Sequence, residues 1–180
     1  MDMLRTTAPY YRSYYVFAAR ADRGLRPDSL DDPLLHELTI GVQLVGDDGA
    51  NPPPAEALAR RGLVPNLRGY MVYGDYSQPN PPARILDAVA SGTVDIAAVW
   101  GPLAGWYARH APVPLVLTPL RPAEPGIPLA FDIAMGVRRG DTIRRNQVER
   151  VLRDHRAEVD SILDEYGVPR VGAAANGGQP

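Results

Sequence analysis

The sequence predicts an α/β fold built on a parallel sheet covered by helices, and two observations carry that expectation. Apolar runs of strand length alternate along the chain with segments of helical periodicity, the pattern left by strands buried between crossover helices. The 180 residues are 45% hydrophobic and 22% charged, which is enough apolar chain for one ordinary domain to bury a core. In chain order, strands are expected at 14–19, 38–45, 69–73, 96–100, 114–118 and 133–137, each a short run bounded by turn-forming or polar residues. Helices are expected between them at 53–61, 81–91 and 103–110. The last helix, 142–166, has the clearest period: Val148, Val151, Leu152, Val159, Ile162, Leu163 and Tyr166 recur at three- and four-residue spacing, behind Asp141 as N-cap. On its polar side Arg150 with Asp154, and Arg156 with Asp160, stand four apart as solvated ion pairs.

Two helix starts share one grammar. Asn51-Pro52-Pro53-Pro54 and Asn80-Pro81-Pro82 each read as an Asn cap followed by prolines in the first turn. Proline has no N–H, so these starts lose donors that a helix N-terminus would otherwise offer to a carboxylate or phosphate. The preceding loop, Gly46-Asp47-Asp48-Gly49, adds two negative charges, and together these features favour a neutral or cationic ligand over an anionic one.

A formal net charge of −2 gives no field that would gather nucleic acid or anionic lipid. All 19 basic residues are Arg, scattered along the chain, and there is no Cys, which excludes disulfides, thiolate catalysis and Cys-based metal sites. No stretch approaches the ~18 apolar residues of a membrane span, and residues 1–7 lack the apolar run of a secretory signal.

The usual enzyme signatures are not found: no Gly-x-Ser-x-Gly elbow, phosphate loop, dinucleotide fingerprint or His-Glu-x-x-His pair. No catalytic residue is assigned, and His36, His110 and His155 each stand alone. Asp47 and Asp48 have oxygen for a hard cation, but the residues after them do not follow a calcium loop, and a turn explains them as well. Tyr70, Tyr73 and Tyr76 surround Gly74-Asp75 near the end of an expected strand, and Trp100-Gly101-Pro102 follows another. Ligands of open α/β sheets bind beyond the carboxyl ends of strands, so Asp47, Asp48, Asn51, Tyr73, Asp75, Tyr76, Trp100 and Gly101 are the candidates for contact with a ligand or partner. Core packing is the alternative for the aromatic ones. Gly101 would let a ligand or partner approach closely.

Several blocks resemble a known family: Pro9-Tyr-Tyr-Arg-Ser-Tyr-Tyr-Val-Phe17, Ile40-Gly-Val-Gln-Leu-Val-Gly-Asp-Asp-Gly-Ala-Asn51, Val72-Tyr-Gly-Asp-Tyr76 with Asn80-Pro-Pro-Ala-Arg84, Asp95-Ile-Ala-Ala-Val-Trp-Gly-Pro-Leu-Ala-Gly105, and Phe131-Asp-Ile-Ala-Met-Gly-Val137. They look like the periplasmic binding proteins associated with methanol dehydrogenase and related quinoprotein (PQQ) alcohol dehydrogenases, within solute-binding protein family 3. The resemblance implies the type II periplasmic-binding fold (periplasmic binding protein-like II). Residues 1–20 would be a crossing segment, 21–131 the second lobe, 132–169 the return strand and C-terminal helix, and 170–180 a disordered tail; most of the first lobe has no counterpart in this sequence. It also implies a periplasmic, non-catalytic role in methanol oxidation, assisting maturation or activation of a lanthanide- or calcium-dependent enzyme. No cofactor of its own and no metal site are implied, and the expected partner is the PQQ-dependent dehydrogenase or its cytochrome. The alternative is an ABC-transporter-type receptor for a small neutral or cationic solute, and a homodimer through the C-terminal helix is a further expectation. A free amino acid is not the expected ligand, because Gly46-Asp47-Asp48 and Trp100-Gly101 stand where amino-acid binders carry a hydroxyl-rich turn and an acidic residue.

Overall fold

A computed structural model describes residues 4–27, 29–45, 51–71, 80–121 and 126–172. In chain order its elements are β1 (Leu4–Thr6), β2 (Tyr11–Arg20), β3 (Ile40–Leu44), α1 (Pro53–Arg60), β4 (Leu67–Met71), α2 (Arg84–Ala90), β5 (Ile96–Trp100), α3 (Gly101–His110), β6 (Leu115–Pro119), β7 (Ala130–Ile133), β8 (Gly136–Arg138), α4 (Thr142–Asp154) and α5 (Arg156–Glu165). The main sheet has the order β4-β3-β5-β2-β6, with β7 paired to the first half of β2. β3 runs parallel to β4 and β5, whereas β2 runs antiparallel to β5, β6 and β7. The predicted parallel sheet is therefore present, with one long strand reversed inside it.

The expected strand at 133–137 divides into two because its partners change. Up to Ile133 the chain pairs with Tyr11 on β2; at Met135 it exchanges hydrogen bonds with Thr7, and from Gly136 it pairs with β1 in a separate two-stranded ribbon. Residues 7–14 and 130–135 thus form a two-stranded link between the ribbon and the sheet.

Alternation along β2 sends side chains to opposite faces, and both faces are covered. Phe17 and Ala19 join Ile40, Val42, Ile96 and Ala98 beneath α1, with Leu30, Leu35 and Leu38 closing that side. Val16 and Ala18 join Ala97 and Val99 beneath α2 and α3, packed on Ile85, Leu86, Val89 and Tyr107. A strand buried on both sides has no polar face to show, which is why the run Val16 to Ala19 reads as continuously apolar. Gly41 is needed for this layering: a Cβ there would sit 3.2 Å from Ile85 and 3.3 Å from Ala97.

The helix starts depart from expectation. Neither Asn51 nor Asn80 caps with its side chain; Pro52 is the N-cap of α1, and Asn80 takes a left-handed conformation (φ 51°) ahead of a 3₁₀ turn, Pro81–Ala83, that leads into α2. With proline at the first two positions, the first available N–H belongs to Ala55 or Ala83. Each already donates to the backbone carbonyl three residues back, Pro52 O at 3.0 Å and Asn80 O at 2.9 Å, so an Asn side chain has nothing to accept from. Asp141 does cap α4, accepting from Arg144 N at 2.9 Å.

The C-terminal helix is interrupted at His155 (φ −107°, ψ 28°), whose imidazole turns to the Glu158 carboxylate. His155 N–H still reaches Val151 O and Val159 N–H reaches His155 O, so α4 and α5 remain in register across the break. Arg156 pairs with Asp160 at 2.9 Å as expected, whereas Asp154 meets Arg153. Neither helix has a buried residue, and Ile143, Val151, Ile162 and Tyr166 are at least half exposed.

Leu86 is fully buried in the layer between α2 and the sheet. Leu86→Ala is expected to lower unfolding free energy by about 2–5 kcal/mol through lost transfer and an uncollapsed cavity. Urea titration followed by circular dichroism checks this, and a loss below 1 kcal/mol would show a layer able to repack.

Candidate functional site

The direction of the crossovers places the crevice. From β3 the chain passes over one face through α1 to β4 on one side, and from β5 it passes over the other face through α3 toward β6 on the opposite side. The adjacent carboxyl ends of β3 and β5 are therefore a topological switch point, where open α/β sheets leave room for a ligand. The pairing of β3 with β5 stops at Val42↔Ala98, and beyond it the buried amide of Gln43 takes over: its Oε1 accepts from the Trp100 backbone N–H at 3.4 Å.

Three aromatic side chains form the wall. Tyr15 lies opposite Trp100 in the β2–β5 register, with ring centroids 5.1 Å apart and planes at 65°. Phe131, carried by β7, completes the group at 6.0 Å from Trp100 and 6.3 Å from Tyr15. All three are half-buried edge-to-face contacts, an arrangement in which each ring's positive rim meets a neighbour's negative face. Burial raises the Tyr15 phenol above its ordinary range, so it is neutral and an un-ionised donor here.

Trp100 is half-buried in this aromatic group at the end of β5. Its neighbour Gly101 opens α3 and is buried, but the close approach it permits is made by the chain itself: a Cβ would lie 2.4 Å from Tyr14 O and 2.7 Å from Pro169. Asn51 is exposed ahead of α1. Asp47, Asp48, Tyr73, Asp75 and Tyr76 lie outside the described residues. Sequence reasoning did not single out Tyr15, Phe131 or Gln43; the alternation of Tyr15 with the inward Phe17 and Ala19 was the available signal for the first.

The other chemistry-bearing groups serve structure. Tyr107 on α3 donates to Asp87 Oδ1 on α2 at 2.6 Å, and burial, reinforced by this bond, raises its phenol well above the ordinary value. His110 stacks on Trp106 with centroids 4.6 Å apart. Among the described residues no three His, Asp or Glu gather as a metal site, and no helix is long and apolar enough to cross a membrane. Grooves of about 290 Å³ beside Tyr10 and Leu152, and about 340 Å³ between Trp106 and Tyr166, are lined by no crevice residue.

No family model matches the chain. The solved structure of the periplasmic binding protein XoxJ from Methylobacterium extorquens AM1 superposes with a TM-score of 0.75 and is 32% identical, covering 94% of this chain and 74% of that one. The chain belongs to this family of periplasmic binding proteins. Protein MoxJ of Methylorubrum extorquens is 34% identical over 177 residues, 91% of this chain, and the chain spans only 57% of that curated relative's length. MxaJ from Methylophaga aminisulfidivorans MPT, 22% identical, shares the fold at a TM-score of 0.78 over 94% of this chain and 72% of its own. The type II periplasmic-binding architecture expected of a XoxJ-like chain is the one the sheet order realises.

The Tyr107 pair makes a pH prediction. A folded pKa raised above the unfolded value of about 10 contributes stability that is complete below that pH and is lost as the pH rises further. Tyr107→Phe is expected to flatten this alkaline fall, read as the urea midpoint at pH 8 and at pH about 11. An unchanged slope would remove Tyr107 as its source.

Proposed function

We propose that this chain acts as a non-catalytic, periplasmic, solute-binding-like accessory protein of methanol oxidation, assisting maturation or activation of a PQQ-dependent methanol or alcohol dehydrogenase. The observation that carries the reading is the chemistry of the crevice wall. Tyr15, Trp100, Phe131 and the Gln43 amide offer stacking surface and neutral hydrogen bonds, and Pro102 takes one N–H from the first turn of α3. Such a wall suits a polypeptide segment or a neutral group better than a free carboxylate, and large aromatic anchors in a half-buried setting are typical of protein contacts. Likeness to the MoxJ and XoxJ proteins supports the assignment to this system.

A receptor for a small neutral or cationic solute is the second reading, favoured by the same aromatic faces, which attract cations. The exposed apolar residues of α4 and α5 leave that face available to a partner surface, including a second copy.

Affinity capture from methanol-grown cells separates the readings. The wild-type chain is expected to retain the dehydrogenase or its cytochrome, and Trp100→Ala to weaken retention about 30-fold, the effect of losing a ~2 kcal/mol anchor. Absence of both partners, together with a melting temperature raised by a neutral or cationic solute, would replace the accessory reading with the receptor.

A further inference from the structure

Two glycines of α3 mark where residues 167–169 are laid down. A Cβ on Gly105 would stand 1.9 Å from Gly167 O, and one on Gly167, itself at φ 66°, would stand 2.6 Å from Arg109 Nε and 2.9 Å from Gly105 O. Gly101, four residues earlier on the same face, would bring a Cβ 2.7 Å from the Pro169 ring. No side chain larger than hydrogen fits at Gly105, where α3 meets Gly167 backbone against backbone, whereas at Gly101 it is the Pro169 ring that packs on the helix.

The same short segment is hydrogen-bonded to β2 and to α5, and α3 is bonded to α5 beside it. Ser13, buried in β2, donates its hydroxyl to Pro169 O at 2.6 Å, and Val171 N–H donates to Arg12 O at 3.0 Å, extending the β2 edge. Arg109 of α3 donates to Asp164 O at 2.7 Å at the end of α5. Arg170, only 11% exposed, turns back to the Asp160 and Asp164 carboxylates of α5. The segment therefore joins α5 to α3 and β2 on the outside of the molecule. Elsewhere, the part made of β1, β8, α4 and α5 is held to the sheet chiefly by the two-stranded link of 7–14 with 130–135, and links of this size are where binding-protein folds bend.

We propose that residues 167–171 are a clasp that spans this link and fixes the angle between the α4–α5 layer and the sheet, so that the protein works with a preset crevice and not by hinge closure. The clasp does not depend on which partner or ligand the crevice takes.

The chain has no Cys, so spin labels go only where cysteine is introduced. Ala59→Cys on α1 and Ser161→Cys on α5, both exposed, report the angle by electron-electron distance measurement in the full 180-residue chain. One narrow distance distribution is expected, broadening about two-fold or more in Gly105→Val, which expels the clasp, with the sheet's circular dichroism retained. Should Gly105→Val not fold, the chain ended at Tyr166 is read with the same labels. A distribution already broad in the unaltered chain overturns the proposal, and so does a narrow one in a folded variant without the clasp.

Discussion

The structure depends on the register of β2. Among the described strands it alone pairs on both edges with antiparallel neighbours: β5 along Tyr15–Ala19, β6 along Val16–Arg20, and β7 along Tyr11–Tyr14. Because its successive side chains serve different cores, a slip of one residue would carry Phe17 out from under α1 and Val16 out from under α2 at once. That double penalty holds the register, and the register places everything functional. Tyr15 faces Trp100 because Val16 faces Val99, and the same strand brings the Ser13 hydroxyl to Pro169 O.

The crevice is what a parallel crossover pattern leaves behind where it changes direction. Helices lie on both faces, strands end in a row, and the crossovers from β3 and β5 leave in opposite directions. What fills that place is specific to this chain. Gln43 bridges the splayed strands with its amide, and the aromatic group supplies a surface with little charge. At α3 too the helix start has few free donors, since Gly101 is buried under Pro169 and Pro102 has no N–H.

How much of this was legible follows from where each interaction is encoded. β5 was readable to the residue because Ile96–Trp100 is a single apolar run between a turn and a Gly-Pro, and Trp100 was recognisable as a strand-end residue for the same reason. The antiparallel course of β2 was not, since periodicity reports burial and says nothing of direction. The aromatic wall joins residues from β2, β5 and β7, distant in sequence and related only through pairing register. The Asn caps failed for a local reason: tandem prolines, read as evidence for a capped start, also remove the donors that make a side-chain cap worthwhile. His155 was invisible as a break because it continues the three- and four-residue spacing while its imidazole finds Glu158 one turn on.

The clasp and the wall bear on each other. A solute receptor selects its ligand by closing on it, and closure requires that the layers flanking the crevice change their angle at low cost. Here residues 167–169 are packed against α3 with no side-chain volume to spare at Gly101 and Gly105, and Pro169 is tied to β2 by a short hydroxyl bond. Backbone-to-backbone packing of the kind made by Gly105 and Gly167 has few alternative arrangements, because it leaves no room for a side chain. A preset crevice pays less ordering entropy when a large, already folded surface docks on it than when a small solute must be enclosed. Layers held in the way we propose, around a half-buried aromatic group, suit the proposed docking of a folded surface better than closure on a small solute.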